Sequence, residues 1–272
     1  MSADALPVDP VERLPLRPVL TLTEEELLVL TEGAPGPVPA RVSLPVESEE
    51  LVHAVALRCL MARGLVLPAG AGDDGVSWEV TEPLGVTLAL RHEAHTVLAL
   101  HRTLGPLKTE AAAGGGGTVG VRYLHLHEEM AVIEDVTEDG MHGLLTVFAE
   151  RYQDAIAEFI RPPGAVAGHG QVLHLPETLR PPADEAPASG AETVLGGFLH
   201  SLGDPTVIVE VAVAREGEVT GGTMLTFGPG GCYRSHDSRS YHPVDPDGAI
   251  ADLVRSTLPQ TWGSGAGAAG PT

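Results

Sequence analysis

Two histidines, His125 and His127, have the spacing that most readily suggests chemistry in this chain. Alternate residues of a β-strand point to the same face, so a strand over 118–127 would place both imidazoles side by side. Histidine is the commonest metal ligand, but a metal site usually needs three or more ligands. A third ligand would have to come from His92, His95 or His101. The pair alone therefore does not predict a metal site. We interpret the two histidines as strand residues at an exposed edge or on a face that binds a partner.

The segment 233–242, YRSHDSRSYH, contains the densest cluster of polar side chains. Ser235, His236 and Asp237 are the three residue types of a hydrolase triad, but they are consecutive. Neighbours along a strand point to opposite faces, so adjacency cannot assemble a triad. The segment is more typical of a solvent-facing hairpin near the edge of a sheet.

Other signatures of catalysis are missing from the sequence. The glycine run 114–117 lacks the Lys-Ser/Thr that a phosphate-binding loop requires, and it predicts a hairpin loop. The chain contains no G-x-S-x-G, no H-E-x-x-H and no dinucleotide fingerprint. We therefore predict a protein that is not an enzyme and that uses no cofactor.

The composition narrows the choice of partners and compartment. Thirty-seven acidic against 16 basic residues give a formal charge of −21, which repels nucleic acid and anionic lipid. The chain lacks the ~18 uninterrupted apolar residues of a spanning helix and a secretory leader, so we expect a cytoplasmic protein without membrane insertion. Cys59 and Cys232 are too few for a disulfide framework and are predicted to be buried. The 33 glycines, 23 prolines and abundant alanine indicate a GC-rich, actinobacterial source.

The pattern of apolar residues and caps predicts alternating helices and strands. Thr23 and Glu26 form a capping box for a first helix, and the nearly all-apolar run 51–62 predicts a buried second helix over 48–63. Asp245, followed by Pro246 at the first helical position, is predicted to begin the last helix. Further helices are expected over 82–92, 148–160 and 192–202, and strands over 65–67, 96–102, 118–127, 131–136, 206–214, 221–227 and 232–241.

These elements divide the chain into two similar halves. We predict an extended arm over 1–19, a first α+β half over 20–161, a Pro-rich linker over 162–190, a second half over 191–260 and a disordered tail over 261–272. Thr96-Val97-Leu98 and Thr206-Val207-Ile208 occupy equivalent places in the two halves, which suggests a pseudo-repeat. The predicted fold class is α+β: an antiparallel sheet with flanking helices in a quasi-twofold arrangement.

The segment 57–66, LRCLMARGLV, resembles the EspG-like chaperones of type VII (ESX) secretion in actinobacteria, in which a helix runs into an A-R-G-L turn. The end of the chain is also similar: Gly231-Cys-Tyr-Arg234 begins a strand, Tyr241-His-Pro243 ends one, and Asp247-Gly248 leads into an amphipathic helix. The resemblance implies a cytosolic chaperone that binds the tip of a secreted helical protein or heterodimer. It also implies the quasi-twofold α+β fold.

The partner surface is expected on the central sheet and its hairpins. The residues proposed for it are Val121, Tyr123, His125, His127, Thr223, Leu225, Tyr233 and His236. Two alternatives are a scaffold or regulatory protein of the same fold that binds a different partner, and a metal-dependent enzyme that uses His125 and His127. The sequence leaves the client and the oligomeric state open.

Overall fold

A computed structural model describes residues 16–31, 48–72, 75–104, 119–176, 179 and 191–257 of the chain. The helices are α1 (Glu24–Leu30), α2 (Glu49–Ala62), α3 (Glu82–His92), α4 (Tyr152–Ile160), α5 (Ala191–Ser201) and α6 (Pro246–Thr257). The strands are β1 (Leu20–Thr23), β2 (Val66–Gly72), β3 (Gly75–Val80), β4 (Thr96–Leu104), β5 (Val119–Leu126), β6 (Met130–Val136), β7 (Met141–Phe148), β8 (Leu173–His174), β9 (Val207–Arg215), β10 (Glu218–Gly228), β11 (Gly231–Ser235) and β12 (Ser240–Val244).

Ten of these strands form one antiparallel sheet in the order β1-β7-β6-β5-β4-β9-β10-β11-β12-β8, and β2 and β3 form a separate hairpin. Strands β4 and β9 pair at the centre, from Thr96 opposite Arg215 to Leu104 opposite Val207. On either side of this pair, three strands run outward in chain order, β5 to β7 and β10 to β12, and a helix follows, α4 in one half and α6 in the other. This arrangement confirms the predicted fold class, an antiparallel sheet with flanking helices.

The residue match proposed for the two halves does not hold. Leu98 and Leu100 of β4 lie in the same buried cluster as Val207 and Val209 of β9, whereas Val97 lies in a cluster on the other face. A twofold axis normal to a sheet keeps every side chain on its own face. Val97 therefore cannot be the counterpart of Val207, because a one-residue shift moves a side chain to the opposite face.

Helices α4 and α6 pack together on one face of the sheet, which we call the core face. The strands contribute leucine, valine and isoleucine, and the helices contribute Tyr152, Ile156 and Ile160 from α4 and Ile250 and Leu253 from α6. All of these side chains are buried. The core is therefore mainly aliphatic and contains few aromatic side chains.

The other face, which we call the open face, is covered at its two ends by different helices. Over β5, β6 and β7 lies α3, and α1, α2 and the β2–β3 hairpin complete that layer around Leu22, Val132 and Leu144. Over β11 and β12 lies α5, whose Phe198 and Leu202 pack against Tyr233 and Tyr241. Between the two groups of helices, part of β4, β9 and β10 stays accessible.

Local signals in the sequence place several helix ends correctly. Thr23 Oγ1 accepts a hydrogen bond from the Glu26 amide at 3.1 Å, and the Glu26 carboxylate accepts one from the Thr23 amide at 3.0 Å, which is the predicted capping box. At α6, the Asp245 carboxylate accepts from the Gly248 amide at 2.8 Å. Among the described helices, none is long and apolar enough to cross a membrane.

The prediction that α2 is buried on all sides is wrong. Only Ala56 and Leu60 of this helix are buried, and they pack toward α1 and β2. Leu51 and Val55 are exposed, and so is Cys59, which contradicts the expectation that both cysteines lie in the core. Cys232 is buried as expected.

Several strands differ from the sequence-based prediction, which includes neither β1 nor β3. Strand β7 is absent from that prediction, which assigns Phe148 to the following helix, whereas Phe148 ends β7 and is exposed. Its sequence contains Gly143, which packs so closely on Pro18 that a Cβ atom would lie 2.7 Å from the proline Cγ. The segment 232–241 is two strands, β11 and β12, and β8 lies within the predicted linker and pairs with β12. The glycine run 114–117 and the tail 261–272 lie outside the described residues.

Candidate binding surface

His125 is inside the protein and not on a surface. It lies on β5 facing the layer that contains α3, and its side chain is fully buried. Its Nε2 atom is 2.7 Å from Oε2 of Glu134, which is on the neighbouring strand β6. The imidazole that the sequence suggests as a ligand or partner contact is therefore part of an internal hydrogen-bond network.

That network, here called the Glu134 cluster, consists of Glu134, Arg91, His125 and His142. Arg91 of α3 donates from Nε to Oε2 of Glu134 at 2.9 Å and from Nη2 to Oε1 at 3.1 Å. His142 of β7 is 2.7 Å from Oε1 through Nδ1. Each carboxylate oxygen thus has two partners, and all four side chains are buried. The cluster ties three adjacent strands to α3.

The chemistry of the carboxylate fixes the tautomers of both histidines. An ionised carboxylate only accepts hydrogen bonds, so His125 donates from Nε2 and His142 from Nδ1. Their other ring nitrogens are buried and have no hydrogen-bond partner among the described residues. Burial lowers the pKa of His125, although its contact with Glu134 opposes this. Hydrogen bonds from His125 and His142, together with the charge of Arg91, hold the pKa of Glu134 well below its ordinary value against the opposing effect of burial. The cluster is therefore an ion pair between Arg91 and Glu134 to which two imidazoles also donate hydrogen bonds.

The next residue of β6, Asp135, makes the corresponding contact on the core face. It accepts from Nε of Arg122 at 2.6 Å and from Nη2 at 2.8 Å. The third guanidinium nitrogen, Nη1, donates to the carbonyl of Ala155 in α4 at 2.8 Å, and the guanidinium lies over the ring of Phe159 at 4.9 Å from its centroid. Consecutive acids on one strand thus anchor a helix on each side of the sheet.

The histidine pair does not come together as a metal site. His127 lies just beyond β5, and its Nε2 donates to the carbonyl of Leu90 at 2.6 Å. Its ring centroid is 6.5 Å from that of His95. Within the described part of the chain, no group of three or more His, Cys, Asp or Glu side chains is placed to hold a metal ion.

The polar segment 235–240 is a turn organised by one carboxylate. Oδ1 of Asp237 accepts from the amides of Arg239 and Ser240 at 2.8 and 2.7 Å, and these bonds lower the pKa of Asp237. Ser235 Oγ donates directly to the same carboxylate at 3.1 Å, with no imidazole between them. The residue types of a triad therefore serve the turn between β11 and β12.

Most residues proposed for the partner surface are buried. Val121, Tyr123, His125, Leu225 and Tyr233 all fall in the interior, on two different faces, so their exposure was predicted wrongly. The alternation of residues along a strand predicts which side chains share a face, but it does not predict which face a helix covers. Of the other three, His236 is exposed and Thr223 and His127 are half-buried.

A shallow cleft nevertheless lies on the central sheet, on strands β4, β9, β10 and the β11–β12 turn. We call it the central cleft; it has a volume of about 440 Å³ and includes His101, Glu210, Ala212, Gly222, Met224 and His236. His101 and Glu210 are direct cross-strand neighbours and both are exposed. Thr223 and His236 are the two residues of the predicted set that line it. His101, Glu210 and Ala212 were not identified as surface residues from the sequence.

Comparison with known proteins gives one type of match. No protein family model matches the sequence, and no curated protein matches it either. The fold is similar to a chain in a solved structure described as the Mycobacterium tuberculosis type VII secretion system chaperone EspG5 in complex with a PE25–PPE41 dimer. The match covers 89% of this chain and 97% of that chain, with a TM-score of 0.53 and 14% sequence identity. At this identity the likeness shows the fold.

Removing the charge of Glu134 should destabilise the protein strongly. In Glu134→Gln the buried Arg91 loses its counter-ion, and breaking a buried pair in this way costs about 3–5 kcal/mol. The free energy of unfolding, measured by urea denaturation, should fall by that amount. Glu210→Gln removes the same charge from an exposed site on the same sheet. This substitution should change the free energy of unfolding by less than about 0.5 kcal/mol. Equal effects of the two substitutions would contradict the role of the cluster.

Stability should also fall as the pH drops below the ordinary histidine pKa of about 6.5. Because the folded pKa of His125 is lowered, the unfolded chain binds a proton there that the folded chain does not, and stability is lost at up to about 1.4 kcal/mol per pH unit. Glu134 adds a further loss only below about pH 4.5, where the unfolded carboxyl takes up a proton.

The variant His125→Gln keeps a donor for Glu134 and should reduce the slope of unfolding free energy against pH between 6.5 and 5. The exposed His236→Gln variant should keep the wild-type slope. A slope that His125→Gln leaves unchanged would show that this histidine is not the titrating group.

Proposed function

We propose that this protein is a cytoplasmic chaperone or adaptor that binds a secreted helical protein, alone or as a heterodimer, of a type VII secretion system. The observation that carries the proposal is the similarity of fold over nearly the full length of both chains to a type VII secretion chaperone. That chaperone was solved with a bound PE25–PPE41 dimer. The sequence resemblance at 57–66 and 231–248 points in the same direction.

A chaperone of this kind needs an accessible surface on a rigid support. The central cleft meets this requirement, because its floor is formed by β4, β9 and β10 in the middle of a ten-stranded sheet. The core face beneath these strands is packed against α4 and α6, so the floor cannot deform without disturbing the core. A partner would therefore meet a rigid surface, and rigidity reduces the entropy lost on binding.

The side chains of the cleft suit a partner that is mainly apolar with a few polar groups. Ala212 and Gly222 keep the floor low, so a partner backbone can approach closely, and Met224 offers an adaptable apolar contact. Glu210, His101 and His236 supply polar groups around this floor. A secreted helical pair with an exposed apolar tip has these properties. The charge of −21 would keep the complex soluble while the tip is covered.

The proposal is tested by purifying the tagged full-length protein from its native cytosol and identifying what elutes with it by mass spectrometry. Recovery of a small helical protein of a secretion locus, near one to one, would support a chaperone. Recovery of a different, non-secreted protein would favour a scaffold of the same fold. Recovery of the protein alone would count against both.

The cleft itself is tested by Ala212→Arg, which places a long charged side chain on its floor. A long side chain that fills the floor should keep a client from approaching it and lower the amount of co-purified client at least about tenfold. Val219→Arg is the matched control, since Val219 is a sheet residue that is 73% exposed and does not line the cleft. If both variants retain the client, the binding surface is elsewhere.

A further inference from the structure

Arg102 of β4 is a half-buried arginine without an acidic partner among the described residues. Its Nε atom is buried and has no hydrogen-bond partner there, and its guanidinium forms no ion pair with a described residue. The other described arginines that are buried or half-buried each hold a carboxylate: Arg91, Arg122, Arg151 and Arg234. A buried polar group without a partner needs an explanation, because it has lost water without gaining a hydrogen bond.

The surroundings of Arg102 do not balance its charge. Its guanidinium lies 5.9 Å from the ring centroid of Phe159, and the same ring is also in contact with Arg122, which is paired with Asp135. Burial lowers the pKa of Arg102, and the positive charge of Arg122 lowers it further. Arginine nevertheless stays protonated in proteins, so this position carries a positive charge that no described acid compensates.

The residue opposite Arg102 leaves space beside the ring. Arg102 pairs across the sheet with Gly120 of β5. A Cβ atom at Gly120 would lie 3.5 Å from the Phe159 ring, so a glycine at this position leaves that side of the ring uncovered by β5. Arg102 and Phe159 are both half-buried, and part of each is therefore accessible. A ligand at this place would meet a guanidinium and an aromatic ring together.

We propose that Arg102, Phe159 and Gly120 form a binding site for a carboxylate carried on an apolar group. A guanidinium is planar and can donate two parallel hydrogen bonds to one carboxylate. The apolar part of the ligand would pack on the Phe159 ring and remove it from water. The formal charge of −21 favours a ligand with one negative charge over a multiply charged anion such as phosphate.

This site is separate from the central cleft and does not depend on the proposed function. His101 lines the cleft on the open face. Arg102 is the next residue of β4, so its side chain points to the core face. Loss of client binding would therefore leave the Arg102 site intact, and loss of the Arg102 site would leave client binding intact.

The ligand class is tested by titrating benzoate into the ¹⁵N-labelled full-length protein and following the backbone amide signal of Gly120 by NMR. Benzoate has both parts of the expected ligand, and for a ligand this small we expect a dissociation constant on the order of 1 mM. Benzamide has the same shape without the charge and should bind at least about tenfold more weakly. Acetate lacks the ring and phosphate lacks the planar carboxylate, so each should bind at least about fivefold more weakly.

Substitutions at Arg102 test the role of the guanidinium. Arg102→Lys keeps the charge but loses the planar pair of donors, so it should weaken benzoate binding at least about fivefold, and Arg102→Gln should abolish it. Arg58→Gln changes an exposed arginine on α2 and is the matched control, which should bind like the wild type. The inference is overturned if benzoate leaves the Gly120 signal unmoved, if benzamide, acetate or phosphate binds as well as benzoate, or if Arg102→Gln binds like the wild type.

Urea unfolding without ligand separates a binding role from a structural one. Arg102→Gln removes an unpaired charge and should leave the midpoint of unfolding close to that of the wild type. Arg122→Gln breaks the pair with Asp135 and the hydrogen bond to the Ala155 carbonyl, so it should lower the midpoint clearly. An equal loss in the two variants would show that Arg102 stabilises the fold, and it would overturn the inference.

Discussion

Two consecutive carboxylates of β6, Glu134 and Asp135, point to opposite faces of the sheet, and each holds an arginine. Through Arg91 the first fixes α3 on the open face, and through Arg122 the second fixes α4 on the core face. Burying these charges is costly unless every oxygen is hydrogen-bonded, and Glu134 achieves this with two histidines on the adjoining strands. The same pairing that stabilises the charges therefore fixes the register of β5, β6 and β7 beneath α3.

The position of α3 has a consequence for the surface. Because α3 is held over β5 to β7 and α5 lies over β11 and β12, the described helices leave the middle of the open face accessible, at β4, β9 and β10. Two of these strands, β4 and β9, are also where the two halves of the chain join. The helices of each half lie over that half's own end of one continuous sheet. The central cleft is the part of the open face between them. A partner that binds there contacts both halves at once.

The sequence predicts the fold well where a local pattern decides it. The capping box of α1, the Asp245 cap of α6 and the β5–β6 hairpin all follow from residues close together in the chain. Burial is predicted poorly, because it depends on which distant helix covers a strand. His125 looked like a surface ligand, although Glu134, an acid within the apolar run of β6, was a signal of an internal network. The nearly all-apolar α2 was predicted to be buried, but its outer side is exposed because, among the described elements, α1 and β2 cover the other side.

Thiol labelling of the central cleft tests most directly whether this surface binds the client. Ala212→Cys in a Cys59→Ser background adds one accessible thiol to the floor, while the remaining Cys232 is buried. With the co-purified client bound, modification of Cys at position 212 should slow by at least about tenfold, as expected for a residue buried in an interface core. A cysteine at position 219 should react at the same rate with and without client. Equal rates at position 212 in the free and bound protein would contradict the account.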